Sequence, residues 1–169
     1  QNKYRCLACQ EEGSILAYAA FAMTEGGILL DYYAVDKALR GRGVGSRFLL
    51  ELKDSPFLSA MNYVLVEVES LESAQTPEES LIRQRRIRFY KGCGCRATGV
   101  YSSLFGVEYR ILFLPLSSQE PGNAQVKEHL EQIYRTILTP LVAGEEEYQK
   151  VCQVYFSPGT ASQGVPIEQ

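Results

Sequence analysis

No apolar run in this sequence is long enough to cross a bilayer, so no membrane-spanning segment is expected. The chain does not open on a basic segment followed by an apolar one, so no secretion leader is expected either. Histidine is almost missing: His129 is the only one, and it sits in a helical stretch far from the cysteines. Positive charge does not predominate. Seventeen Lys and Arg against 20 Asp and Glu leave a net charge of −3, which argues against a nucleic-acid partner. No segment repeats another. Five cysteines are an odd number, in a chain whose 46% hydrophobic content can build a core without covalent staples. Reduced thiols and a cytoplasmic location are the expectation. Cys6 and Cys9 lie three apart on a predicted strand and so point to opposite faces, and no metal site is expected from them with Cys93, Cys95 or Cys152.

What the sequence does have is concentrated between Ile28 and Lys53. Ile28, Leu29, Leu30, Tyr32, Tyr33 and Val35 make a short apolar run of strand-favouring residues. Arg40-Gly41-Arg42-Gly43-Val44-Gly45-Ser46 interrupts it, and Val44, Phe48, Leu49 and Leu52 then recur at helical spacing. A helix opening straight after such a loop offers unpaired N–H groups and the positive end of its dipole, and glycines let an anion come close to the main chain. The loop is not a P-loop, because no Lys-Ser or Lys-Thr follows its glycines, and a dinucleotide fingerprint fails at Ser46, where a third glycine is required. A plain helix start remains the alternative for the loop taken alone.

Around this centre the chain reads as strand and helix in turn. Tyr4–Cys9 and Ser14–Met23 form a hairpin across Gln10–Gly13, and Glu25-Gly26-Gly27 turns into the Ile28 strand, making an antiparallel meander. Met61–Glu69 is a fourth strand, with Val64, Val66 and Val68 on one face and Leu65, Glu67 and Glu69 on the other. Two acids on one face of an apolar strand place that face at a cleft or in solvent. Thr76-Pro77-Glu78-Glu79 writes a capped helix start, and the helix runs to Gly92 or Gly94. Its Arg83, Arg85, Arg86, Arg88 and Lys91 spread around it as a solvated surface, or lend one or two charges to a phosphate. Arg96–Ser102 and Val107–Phe113 close the set. Two strand–helix–strand crossovers within it give a mixed α/β sheet. Residues 1–116 thus form the core. Residues 123–156 are expected to be two amphipathic helices, with Val126, Leu130, Ile133, Tyr134, Ile137 and Leu138 on the first and Tyr148, Val151, Cys152 and Tyr155 on the second. Their stripes must be buried on the core or on a partner, which makes a homodimer plausible. Residues 157–169 are expected to be a disordered tail.

Arg40, Gly43 and Gly45, as R-x-x-G-x-G after a strand ending in Ala-Val, resemble the acyl-coenzyme-A-binding motif of the GNAT acetyltransferases. Tyr90 and Gly94, at the end of the second helix, resemble that family's Tyr-x-x-x-Gly signature. The order of elements from Lys3 to Leu114 is similar too, although the family's first strand and two helices have no counterpart here. Cys95 stands where the family usually has an aromatic, and Arg83 and Arg86 stand where many relatives carry Asn and Ala.

The resemblance implies a GNAT acyl-CoA N-acyltransferase fold and direct transfer of an acetyl group from acetyl-CoA to the primary amine of a small molecule or peptide, with no metal. It puts the coenzyme on Arg40, Gly41, Arg42, Gly43, Val44, Gly45 and Ser46, with its pantetheine arm along the strand edge at Tyr33, Ala34 and Val35. A main-chain N–H of that strand would meet the oxyanion. Glu67 lies at the strand position that carries the base in similar enzymes acting on protein N-termini, with Glu69 as alternate, and Tyr90 would protonate the departing thiolate. A non-catalytic acyl-CoA-binding module is the other class that these motifs allow, and a site for some other phosphorylated ligand the third.

Overall fold

The computed structural model describes residues 3–158, so the tail expected from Ser157 lies outside the described residues from position 159. Strands β1 (Tyr4–Glu11) and β2 (Ser14–Met23) form a hairpin whose two turn residues, Glu12 and Gly13, have φ of 48° and 82°. That doubly positive pair matches the twist of antiparallel strands. Strand β3 (Ile28–Val35) completes the antiparallel meander. Helix α1 (Val44–Lys53) crosses over to β4 (Tyr63–Glu69), which runs parallel to β3. Helix α2 (Pro77–Gly92) leads to the hairpin β5 (Arg96–Leu104) and β6 (Val107–Pro115), followed by α3 (Asn123–Leu138), α4 (Glu145–Val151) and β7 (Cys152–Phe156). The sheet order is β1-β2-β3-β4-β6-β5-β7. The mixed α/β sheet expected from the sequence is therefore present. Its second crossover skips a place, because β6 inserts antiparallel between β4 and β5.

Helices cover both faces of β4, which is why that strand reads as a nearly unbroken apolar run. On one face Val64, Val66 and Val68 pack with Leu30, Leu49 and Leu52 beneath α1 and α2. On the other, Leu65 packs with Leu29, Ile111 and α3's Leu130, Ile133 and Tyr134. Thr76 caps α2 as its sequence promised: its Oγ1 accepts the Glu79 N–H at 3.1 Å, and Glu79 in turn accepts the Gln75 N–H at 2.9 Å.

One expectation about the last third needs correction. The apolar spacing at Tyr148, Val151, Cys152 and Tyr155 predicts one helix, but the helix ends at Val151 and Cys152–Phe156 is a strand paired with β5. The free edge of β5 offers backbone partners all along this Val- and aromatic-containing segment, so pairing prevails over helical spacing. Of the two covers expected for the α3 stripe, the core is the one present: Val126, Leu130, Ile133, Tyr134 and Leu138 are buried on the chain's own sheet, so this stripe supplies no motive for a homodimer.

Leu130 on α3 and Leu112 on β6 are both fully buried, in the clusters on opposite faces of the sheet. Leu130→Ala and Leu112→Ala are each expected to cost about 2–5 kcal/mol. In urea titrations followed by circular dichroism and tyrosine fluorescence, both should shift one shared transition. A separate early transition in the Leu130 variant would show α3 unfolding on its own.

Candidate functional site

Strands β3 and β4 pair over two rungs only, Leu29↔Leu65 and Leu30↔Val66. The cause lies on the other side of β3. Ala20 pairs with Tyr32 and Phe21 with Leu30, so Asp31 is an extra residue in a bulge. A bulge bends and twists its strand, and here β3 parts from β4 at that point. The edge of β3 facing β4 is left without ladder partners from Asp31 to Val35. The gap opens a cleft of about 1120 Å³, floored by β3 and by Glu67 and Glu69 of β4 and walled by the loop before α1 and by α2.

The loop end of the cleft is built for a negative charge. Gly41 and Gly43 have φ of 76° and 78°, and a Cβ on Gly43 would meet nothing among the described residues, so its left-handed backbone is the reason for glycine there. Gly43 starts α1 with no side chain capping the first turn. By helix geometry the N–H groups of Val44, Gly45 and Ser46 have no partner within the helix, and Gly45 and Ser46 line the cleft. Gly45 is glycine for a different reason: a Cβ would come within 3.1 Å of Val35 Cγ2 and 3.4 Å of Phe89, so its absence lets α1 settle onto β3 and α2. The Tyr33 hydroxyl donates to the Gly45 carbonyl at 2.5 Å, and its ring lies 5.8 Å from the Phe48 and Phe89 rings. Burial pushes that phenol well above its usual range. Tyr33 therefore spends its side chain on holding the loop, and only its main chain is free for a ligand.

Arg40 donates from Nε to the Val35 carbonyl at 3.2 Å and lines the cleft with Arg85 and Arg86. Arg42 and Val44, expected from the sequence to bind, do not line it, although the Val44 N–H still belongs to the uncapped turn. Arg83 is no part of a solvated surface. Largely buried, it donates to the Ser70 carbonyl at 2.6 Å and pairs with Glu69 at 3.1 Å.

At the opposite end stand the carboxylates. Glu69 is paired with Arg83 and with Arg86 (3.2 Å), so the alternate acid is neutralised. Glu67 has no cationic partner among the described residues. Burial raises its carboxyl to about 7; a hydrogen bond from Tyr134 opposes the rise and the nearby Asp31 adds to it. Tyr134 Oη donates to Glu67 Oε2 at 2.5 Å. Tyr90 is buried at the end of α2 and faces the cleft; chiefly burial raises its phenol to about 12, so it keeps its proton at neutral pH. Its carbonyl accepts the N–H of Cys95 at 3.0 Å, closing the turn that Gly94 makes with φ of 97°. Cys95 is buried in the core. Among the described residues no three His, Cys, Asp or Glu side chains cluster as metal ligands, and His129 stacks on Tyr63 and hydrogen-bonds its hydroxyl.

The structure thus brings Tyr33, Ala34, Val35, Arg40, Gly41, Gly43, Gly45, Ser46, Glu67 and Tyr90 to one cleft. Sequence reasoning missed Asp31, and Tyr134 as a partner of Glu67. Asp31 depends on a bulge that only pairing reveals, and Tyr134 reads as one more apolar-stripe residue. Together these groups can hold an anion at one end, hydrogen-bond an extended amide chain along β3, and exchange a proton near neutral pH at the other.

A family model described as the acetyltransferase (GNAT) family matches residues 1–95, which take in both the loop and the end of α2. No curated protein matches the chain in sequence. Among solved structures, the chain is similar to the ribosomal-protein-S18-alanine N-acetyltransferase of Escherichia coli (18% identity over 71% of this chain and 74% of that one, TM-score 0.51). An aminoglycoside 6'-N-acetyltransferase complexed with coenzyme A is also similar (14%, 71% and 77%, 0.55). So is a protein from Bacteroides thetaiotaomicron assigned to the GNAT family (16%, 81% and 73%, 0.58). At these identities the likeness is one of fold.

The raised Glu67 carboxyl has a consequence for stability. The native state holds this proton more tightly than the unfolded chain, whose carboxyl has its ordinary value of 4.5. Stability contributed by the protonated form is therefore lost as pH rises from about 4.5 to about 7. Glu67→Gln should flatten this dependence and stabilise the protein at pH 8 by up to roughly 3 kcal/mol. Urea midpoints of both proteins at pH 5 and pH 8 check it; equal slopes would contradict the raised carboxyl.

Proposed function

Because the chain belongs to the GNAT acetyltransferase family, we propose that it transfers an acetyl group from acetyl-CoA directly to a primary amine of a small molecule or peptide. The observation that carries this reading is the pairing, within one cleft, of an uncapped helix N-terminus with a carboxyl that burial raises to about 7 and that has no cationic partner among the described residues. Acetyl-CoA supplies an acetyl group activated as a thioester. Its anionic end suits the N–H groups of Val44, Gly45 and Ser46 with Arg40 and Arg85, and an extended amide arm suits the free edge of Tyr33, Ala34 and Val35.

An acceptor amine arrives as ammonium, with a pKa near ~10, and must lose a proton to become a nucleophile. Glu67 takes that proton, directly or through water. Its carboxyl near 7 is a stronger base than an ordinary carboxylate and is still substantially ionised at neutral pH. Asp31 adds negative potential on the acceptor side. A main-chain N–H of β3 meets the charge that develops on the carbonyl oxygen. Tyr90, holding its proton until about 12, gives it to the departing thiolate.

Calorimetric titration with acetyl-CoA should show binding by the wild type and none by a variant carrying Arg40→Ala and Gly43→Glu. An amine screen read by thiol release should then find an acceptor. Glu67→Gln should bind acetyl-CoA unchanged and lose about 10²–10⁴-fold in turnover. Binding without turnover on any amine, and no effect of Glu67→Gln, would instead make this a non-catalytic acyl-CoA-binding module.

A further inference from the structure

Tyr134 lies on α3, beyond the residues that the family model matches, and its side chain is fully buried. A phenol has one hydrogen to give, and Tyr134 gives it to Glu67. Ser102 Oγ stands 2.9 Å from the same phenol oxygen. With the phenolic hydrogen committed, Ser102 must be the donor in that contact. Ser102 is fully buried on β5. Two donors in series, each pointing the same way, therefore run from β5 through α3 to the Glu67 carboxylate. Successive hydrogen bonds of this kind polarise and strengthen one another.

We propose that Tyr134, backed by Ser102, is the positioning residue for Glu67, holding Oε2 against α3, leaving Oε1 for the cleft, and favouring the ionised carboxylate. The catalytic consequence rests on the reading of Glu67 as the base; the positioning itself does not. Other titratable groups that act on Glu67 come from the two flanking strands, Asp31 on β3 and Tyr109 on β6, and from the sheet's outer strands, Tyr4 on β1 and Cys152 on β7. Burial raises Tyr4, Tyr109 and Cys152 above their usual ranges, so all three are neutral near pH 7, and Glu69 on β4 itself is tied to arginines. Asp31 and burial both oppose the Glu67 charge. Among the described residues, Tyr134 alone donates a side-chain hydrogen bond to it. Removing that hydrogen bond must therefore move Glu67 toward its protonated form.

The test needs no knowledge of the acceptor. Protein labelled with ¹³C at glutamate carboxyls is titrated by NMR, and the Glu67 resonance is assigned by its loss in Glu67→Gln. Tyr134→Phe should raise the Glu67 midpoint by about one pH unit, and Ser102→Ala should raise it by less. Tyr148→Phe, a buried phenol with no bond to Glu67, should leave it in place. An unchanged midpoint in a cooperatively melting Tyr134→Phe protein overturns the proposal. Should that variant not fold, an unmoved midpoint in Ser102→Ala overturns it instead. Once an acceptor is found, the acid limb of kcat/KM should move with the NMR midpoint. A moved midpoint beside full turnover in Glu67→Gln would uphold the positioning while removing Glu67 as the base.

Discussion

The site depends on one shortfall in the sheet: β3 and β4 meet across two rungs and then separate. Parallel strands flanked by crossover helices ordinarily pair along their length, and the Asp31 bulge prevents this here. The candidate site follows from the gap. It frees the β3 edge, exposes the first turn of α1, and turns Glu67 and Glu69 from core positions into cleft positions. The rungs that remain are Leu29, Leu30, Leu65 and Val66, almost wholly buried between two helical layers, so the opening is anchored at its closed end by hydrophobic packing on both faces.

The cleft is electrically divided. Arg40 and the helix N-terminus line it where α1 begins, Arg86 is held on Glu69, and Asp31 and Glu67 are the other acids of the lining. Arg83 and Arg86 keep the two ends apart in effect, because they neutralise Glu69, the acid nearest the arginines. What survives as uncompensated negative charge lies where α3 covers the sheet.

Much of this was legible in the sequence. The strand–loop–helix at Ile28–Lys53, the Thr76 cap and the alternation along β4 each depend on near neighbours, and each is present in the structure. Placing Glu67 and Glu69 on the face opposite Val64, Val66 and Val68 needed only the two-residue period of a strand. Features set by distant pairing were not legible. The Asp31 bulge exists only against β2, and β6 slips between β4 and β5 for reasons of sheet order. Tyr134 looks like a core aromatic until its hydroxyl is seen to reach Glu67. The misread segment at Cys152–Phe156 belongs to the same class, since its helical spacing was real but an open strand edge lay beside it. The Tyr33 side chain shows a subtler limit: its position at the loop was readable, its engagement with the Gly45 carbonyl was not.

The tie between Tyr33 and Gly45 bears on how fast a ligand can be taken up. It crosses from the floor of the cleft to its wall, with Phe48 and Phe89 packed against the ring. That tie opposes movement of the wall, and the mouth is already open where the strands stand apart. Encounter with an anion should therefore be governed by diffusion and by the field of the arginines, so that added salt slows capture more than it speeds escape.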